Sequence, residues 1–88
     1  MPGTYKIELA ASAAKAFSKL DRPTQQRVAR QIDLLAHNPR PRGVMKLQGE
    51  DDLYRIHAGD YRIIYSIQDR VLIVLVVAIG NRRDIYKR

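Results

Sequence analysis

Past residues 38–43 (NPRPRG) the hydrophobic period of this chain drops from about 3.6 residues to 2, so any fold it adopts must change there from helix to strand. Upstream, Ala13, Phe17 and Leu20 fall at i, i+4 and i+7, the apolar stripe of a helix that Ser12 is placed to cap. Asp21-Arg22-Pro23 interrupts that helix and opens another, because proline suits a first helical turn. Val28, Ile32 and Leu35 repeat the stripe, and Gln26, Arg27, Arg30 and Asp33 form its solvated side. The second helix should end near Asn38, since Pro39 disfavours helical geometry in the residue before it.

Strands flank the helices on both sides. Residues 5–9 alternate, with Tyr5, Ile7 and Leu9 opposing Lys6 and Glu8. Beyond the proline loop, 44–47 is a short strand candidate and 48–52 a turn. Strands are expected at 53–57, 61–68 and 70–79, the last two joined by a tight antiparallel turn at Gln68-Asp69-Arg70. The final strand is apolar on both faces, as expected of a central one. The order is β-α-α followed by three strands and the candidate at 44–47. This predicts an α+β fold with both N-terminal helices packed on one face of a small, mainly antiparallel sheet. Its 88 residues fit one domain, 1–88.

If the helices cover one face, strand parity decides what the other face carries. In 53–57, Tyr54 and Ile56 oppose Arg55 and His57. In 61–67, Tyr61, Ile63, Tyr65 and Ile67 oppose Arg62, Ile64 and Ser66. Turning the richer apolar sets toward the helices brings Arg55, His57 and Arg62 out together, because an unpaired charge is costly to bury. Tyr61 and Tyr65 then read as core, Arg27 and Arg30 as solvated helix face, and Arg40 as a solvated loop residue. Arg82, Arg83, Lys87 and Arg88 follow the last strand with Tyr86 among them, adding cations and a ring at the sheet margin. Cations that hold phosphates beside a ring that can stack on a base suit a nucleic acid strand.

Composition agrees. Sixteen Lys and Arg against nine Asp and Glu leave a net charge of +7, which attracts polyanions. With no cysteine, disulfides, thiolate metal sites and thiol nucleophiles are excluded. The longest apolar run, 71–79, falls far short of the roughly 20 residues of a spanning helix. The opening segment MPGTYKIEL lacks the apolar core of a signal peptide, so a soluble, cytoplasmic protein is expected.

The segment 53–88, LYRIHAGDYRIIYSIQDRVLIVLVVAIGNRRDIYKR, resembles the C-terminal half of RelE-type toxins of the RelE/ParE superfamily. The resemblance lies in the strand Tyr61 to Tyr65, a short turn, an apolar strand, and the basic pair Arg82-Arg83 leading to Tyr86. The two upstream helices, the proline-broken loop and residues 45–49 (MKLQG) extend it over the whole chain. It implies the toxin of a type II toxin–antitoxin pair: a ribosome-dependent endoribonuclease that cuts mRNA in the A site without metal or cofactor. Its partners would be a cognate antitoxin and A-site mRNA. Operator DNA would be reached only through the antitoxin, and no membrane is involved.

By the same resemblance, Arg62 would bind the scissile phosphate. Arg82 would stabilise charge or protonate the leaving group, and Tyr86 would orient the substrate. Arg55 and His57 stand where relatives carry two lysines. Arg55 is better suited to an electrostatic clamp than to proton transfer, and His57 to a base. Arg83, Lys87, Arg88, Lys46 and Arg42 would contact RNA. Two other readings remain: a ParE-like inhibitor of DNA gyrase, and a non-catalytic nucleic-acid-binding module.

Overall fold

A computed structural model describes residues 4–47 and 53–81. Five strands and two helices follow the chain as β1 (Lys6–Leu9), α1 (Ala11–Ser18), α2 (Arg22–His37), β2 (Met45–Lys46), β3 (Leu53–Ala58), β4 (Tyr61–Gln68) and β5 (Ile73–Asn81). They form one mixed sheet in the order β1-β5-β4-β3-β2. The β1–β5 pairing is parallel, and the other three are antiparallel. The change of period at the proline loop is thus a real boundary between helix and strand, and the expected α+β architecture is the one observed.

Both helical stripes bury where the spacing placed them. Val28, Ile32 and Leu35 of α2 and Ala13 of α1 are buried against Ile56, Ile63, Tyr65, Ile67, Val74, Val76 and Ile79 of the sheet. All these strand residues fall on one face by register, so both helices lie on that side. Pro23 occupies the first turn of α2, and Asn38 ends it by donating its backbone N–H to Leu34. The Gln25 amide reaches back to donate to the Phe17 carbonyl at 3.0 Å, closing the helical hairpin with a bond neither helix could make alone.

Three local expectations are corrected. Ser12 does not cap α1: Ala10 holds the cap position, and the Ser12 hydroxyl lies inside the helix and donates to Val77 O at 3.3 Å. The strand at 44–47 shrinks to Met45 and Lys46, which pair with Arg55 and Tyr54 of β3, and Leu47 N–H adds a bond to Leu53 O. The last strand starts at Ile73 rather than Arg70, so Asp69 to Leu72 form the hairpin turn, with exposed Val71 and Leu72 at its tip. The apolar run at 71–79 concealed that turn because Val71 and Leu72 are apolar without being core. The expected turn at 48–52 lies outside the described residues.

Candidate functional site

The sheet face away from the helices is built by register. Along β3 and β4, His57 pairs with Arg62, Arg55 with Ile64, and Leu53 with Ser66. Along β4 and β5, Arg62 pairs with Gly80 and Ile64 with Ala78. Paired residues share a face, so Arg55, His57 and Arg62 stand together on the side opposite the helices. Cross-strand partners sit about 4.5–5.5 Å apart at Cα, and alternate residues along a strand about 7 Å apart. One phosphodiester can therefore be reached from all three. Among the described residues, no helix covers this face.

What surrounds the three groups shapes them. Ile64, only 8% exposed, forms an apolar floor beside Arg55 and Arg62. On β5, the small residues Gly80 and Ala78 stand next to Arg62 and Ile64. Their place beside the cluster could be read only once the register was known. Arg55 and Arg62 are half-buried, with their Nε atoms shielded from solvent, while His57 is exposed. Arg55 Nη2 also donates to Met45 Sδ at 2.8 Å, which draws the guanidinium toward β2. Two shielded cations beside an exposed imidazole form a site that can grip an anion and exchange a proton next to it.

Not every candidate joins this cluster. Lys46 pairs with Tyr54, so register puts it on the face opposite Arg55, at the sheet edge. Arg42 is exposed in the turn before β2. Arg82, Arg83, Tyr86, Lys87 and Arg88 lie outside the described residues. β5 ends at Asn81, opposite Tyr61 and next to the Arg62–Gly80 pair.

The sequence reading missed a second constellation on the helix side of the sheet. Arg40 was read as a solvated loop residue, but it forms a forked ion pair with Asp69 in the β4–β5 turn. Its Nη2 donates to Oδ2 at 2.9 Å and its Nη1 to Oδ1 at 3.4 Å. The Tyr5 hydroxyl donates to the same carboxylate. Arg40 also lies over the Tyr54 ring, 5.4 Å from its centroid, and Tyr54 stacks on Tyr65 at 5.9 Å and 27°. Tyr65, fully buried as expected, donates its hydroxyl to Pro39 O at 2.7 Å. Hydrogen bonds from Arg40 and then Tyr5 hold the Asp69 carboxyl below the usual carboxylate range, and the Asp69 bond raises the Tyr5 phenol. Burial pushes the Tyr65 phenol up. No local pattern announces a bond between residues 40 and 69, so composition and spacing could not find it.

Arg27 is exposed, as expected of the solvated helix face, but it also has a neighbour there. Its side chain crosses the β3–β4 turn so closely that a Cβ on Gly59 would stand 2.8 Å from its Nη1. Gly59 has φ +65°, so this turn favours a residue without a side chain for its backbone, and the exposed arginine tip lies over the space that glycine leaves.

Comparison with known proteins places this chain among toxins. The model of the ParE toxin family of type II toxin–antitoxin systems (parDE) matches residues 7–86. A RelE-like toxin protein of Escherichia coli is 35% identical over 86 residues, covering 93% of this chain and 90% of its own. The matched chain of the archaeal RelE–RelB complex from Pyrococcus horikoshii superposes with a TM-score of 0.80 at 31% identity, over 92% of this chain and 98% of that one. The matched chain of the intact Escherichia coli RelBE toxin–antitoxin complex gives a TM-score of 0.77 at 25% identity, over 88% and 95% respectively.

Proposed function

The chain belongs to the RelE/ParE superfamily of type II toxin–antitoxin toxins, and on that premise we propose that it is a ribosome-dependent endoribonuclease that cleaves mRNA in the A site. The observation that carries this reading is the cross-strand placement of Arg55, His57 and Arg62 on the face opposite the helices. An exposed imidazole flanked by two guanidinium groups supplies what cleavage by internal transfer requires: a proton acceptor and fixed positive charge where a phosphorane-like transition state develops.

In this mechanism the ribose 2′-oxygen attacks the adjacent phosphorus while His57 takes its proton. The bond to the 5′-oxygen breaks, and an acid returns a proton to that leaving oxygen. The products are a 2′,3′-cyclic phosphate and a 5′-hydroxyl, so atoms and charge balance with protein groups as the proton carriers. Arg62 holds a non-bridging phosphate oxygen, and Arg55 clamps the charge that grows on the other. Arg82 is assigned charge stabilisation or leaving-group protonation, and Tyr86 substrate orientation. Arg83, Lys87, Arg88 and Arg42 are assigned backbone phosphates. Lys46, on the sheet edge, could reach RNA only around that edge.

The relatives from Pyrococcus horikoshii and Escherichia coli are solved in complexes with a RelB antitoxin, which supports a cognate antitoxin for this chain. Among the described residues no helix is long and apolar enough to cross a membrane. A cytoplasmic site of action follows from the ribosomal target proposed above.

A second reading has its own support. The matching family model is that of ParE toxins, which makes DNA gyrase the alternative target. In vitro translation with the purified protein, followed by primer extension on the message, separates the two. Cuts at ribosome-occupied codons support the nuclease. Intact mRNA together with gyrase-dependent DNA breaks overturns it in favour of the gyrase reading.

A further inference from the structure

We propose that Arg40, Asp69 and Tyr54 form a clasp on the helix side of the sheet that positions Arg55 on the opposite face. β3 is held unequally. Along β4 it has a full ladder from Leu53 to Ala58, but on its other side the described residues give a shorter one, Met45 and Lys46 of β2 and a bond from Leu47 N–H to Leu53 O. A strand held over fewer residues on one side resists twisting about its own axis less. Tyr54 opposes that rotation, because its ring is held between the Arg40 guanidinium and the Tyr65 ring. Arg40 is itself fixed, because both arms of its guanidinium bond Asp69 in the β4–β5 turn. The loop carrying Arg40 is tied again one residue earlier, where Tyr65 donates to Pro39 O.

Arg55 is the next residue after Tyr54, so its side chain leaves the strand in the opposite direction. The rotation that sets the Tyr54 ring therefore also sets the Arg55 guanidinium. The clasp also stands at the irregular step of the sheet. The β4–β5 register shifts between Ile64 and Tyr65, and Ile64 is the cross-strand partner of Arg55. The extra residue there is Val77, so the bend falls on β5, while β3 and β4 keep a regular ladder beneath the clasp. Arg40, Asp69 and Tyr54 are positioning residues here, since none shares the face of Arg55, His57 and Arg62.

The proposal rests on the nuclease reading for its consequence, but not for its test. In full-length protein labelled with nitrogen-15, the shielded Nε–H of Arg55 gives a side-chain resonance, assigned by its loss in Arg55→Lys. Arg40→Ala is expected to shift or broaden that resonance, leave the Arg62 Nε–H in place, and keep a cooperative unfolding transition. Arg40→Lys keeps the charge but loses the fork and the planar stack, and is expected to behave like Arg40→Ala. Tyr54→Leu, which keeps apolar volume and removes the ring face, should reproduce the shift if Arg40→Ala fails to fold. In the translation assay the same variants should lower the cleavage turnover by about 10- to 100-fold with little change in KM. An unmoved Arg55 resonance in a folded Arg40→Ala protein overturns the proposal. So does failure of every clasp variant to fold, which would make the clasp a folding element. If wild-type protein leaves mRNA intact, the nuclease reading fails while the resonance still decides the clasp.

Discussion

His57 on β3 stands directly across from Arg62 on β4, on the sheet face that the helices leave uncovered. Neither residue would hold a phosphate alone with useful geometry. An exposed imidazole next to a half-buried guanidinium lets one group move a proton while the other keeps its charge.

Arg62 should therefore dominate function and contribute little to stability. Arg62→Ala is expected to abolish growth arrest in cells and to reduce message cleavage by about 100- to 1000-fold, the scale on which loss of one charge-stabilising donor acts. The melting temperature should stay within about 5 °C of wild type, because the core cluster lies on the other face of the sheet. Arg82→Ala should also abolish growth arrest. Wild-type toxicity in Arg62→Ala would remove this residue from the site.

His57 makes a different prediction, in the pH profile. As a base it must be neutral to act, so cleavage should rise with pH along an acid limb that belongs to this residue. His57→Gln should slow the reaction by about 100-fold or more and flatten that acid limb. Single-turnover cleavage measured from about pH 5 to 8 checks both. An acid limb that survives in His57→Gln assigns the titration to another group.

Strand alternation exposed Arg55, His57 and Arg62 in the sequence because parity is a local property, and the helical spacing of Val28, Ile32 and Leu35 is local too. The Arg40–Asp69 pair was not legible, since it joins residues 29 positions apart through a register that no short segment encodes. The parallel pairing of β1 with β5 is hidden for the same reason, because Lys6 meets Ile73 only after the whole chain has folded. Ser12 failed differently: it has the residue type of a cap, but the helix begins at Ala11, two residues earlier than a Ser12 cap would start it. A hydroxyl inside a first turn finds whichever carbonyl is near, here Val77 O.

The Asp69 clasp should respond to acid with a definite sign. Its carboxyl titrates lower in the folded chain than in the unfolded one, held down first by Arg40 and then by Tyr5. A group depressed in this way adds stability above its unfolded value, near about 3.9, and loses it as pH falls through the folded value. Wild type should therefore melt above Asp69→Asn at about pH 6, and the two curves should converge as pH falls through the folded value. The carboxylate side chain is 54% exposed, so about 1 M salt should shrink the gap at pH 6. Circular dichroism melts across this range decide the point, and a gap that widens toward acid would contradict the pairing.

At the tip of the same hairpin, Leu72 sits at φ 57°, a left-handed conformation that branched apolar residues rarely adopt. For an ordinary residue this costs about 1–2 kcal/mol, which glycine avoids at the expense of a more flexible unfolded chain. Leu72 is 40% exposed, so trimming its side chain removes little buried area. Its carbonyl accepts from Lys6 N, a backbone bond that glycine preserves. Leu72→Gly should therefore stabilise the protein by about 0.5–1 kcal/mol, raising the melting temperature by roughly 2–8 °C. A lower melting temperature would show that the exposed leucine contributes packing that outweighs its backbone strain.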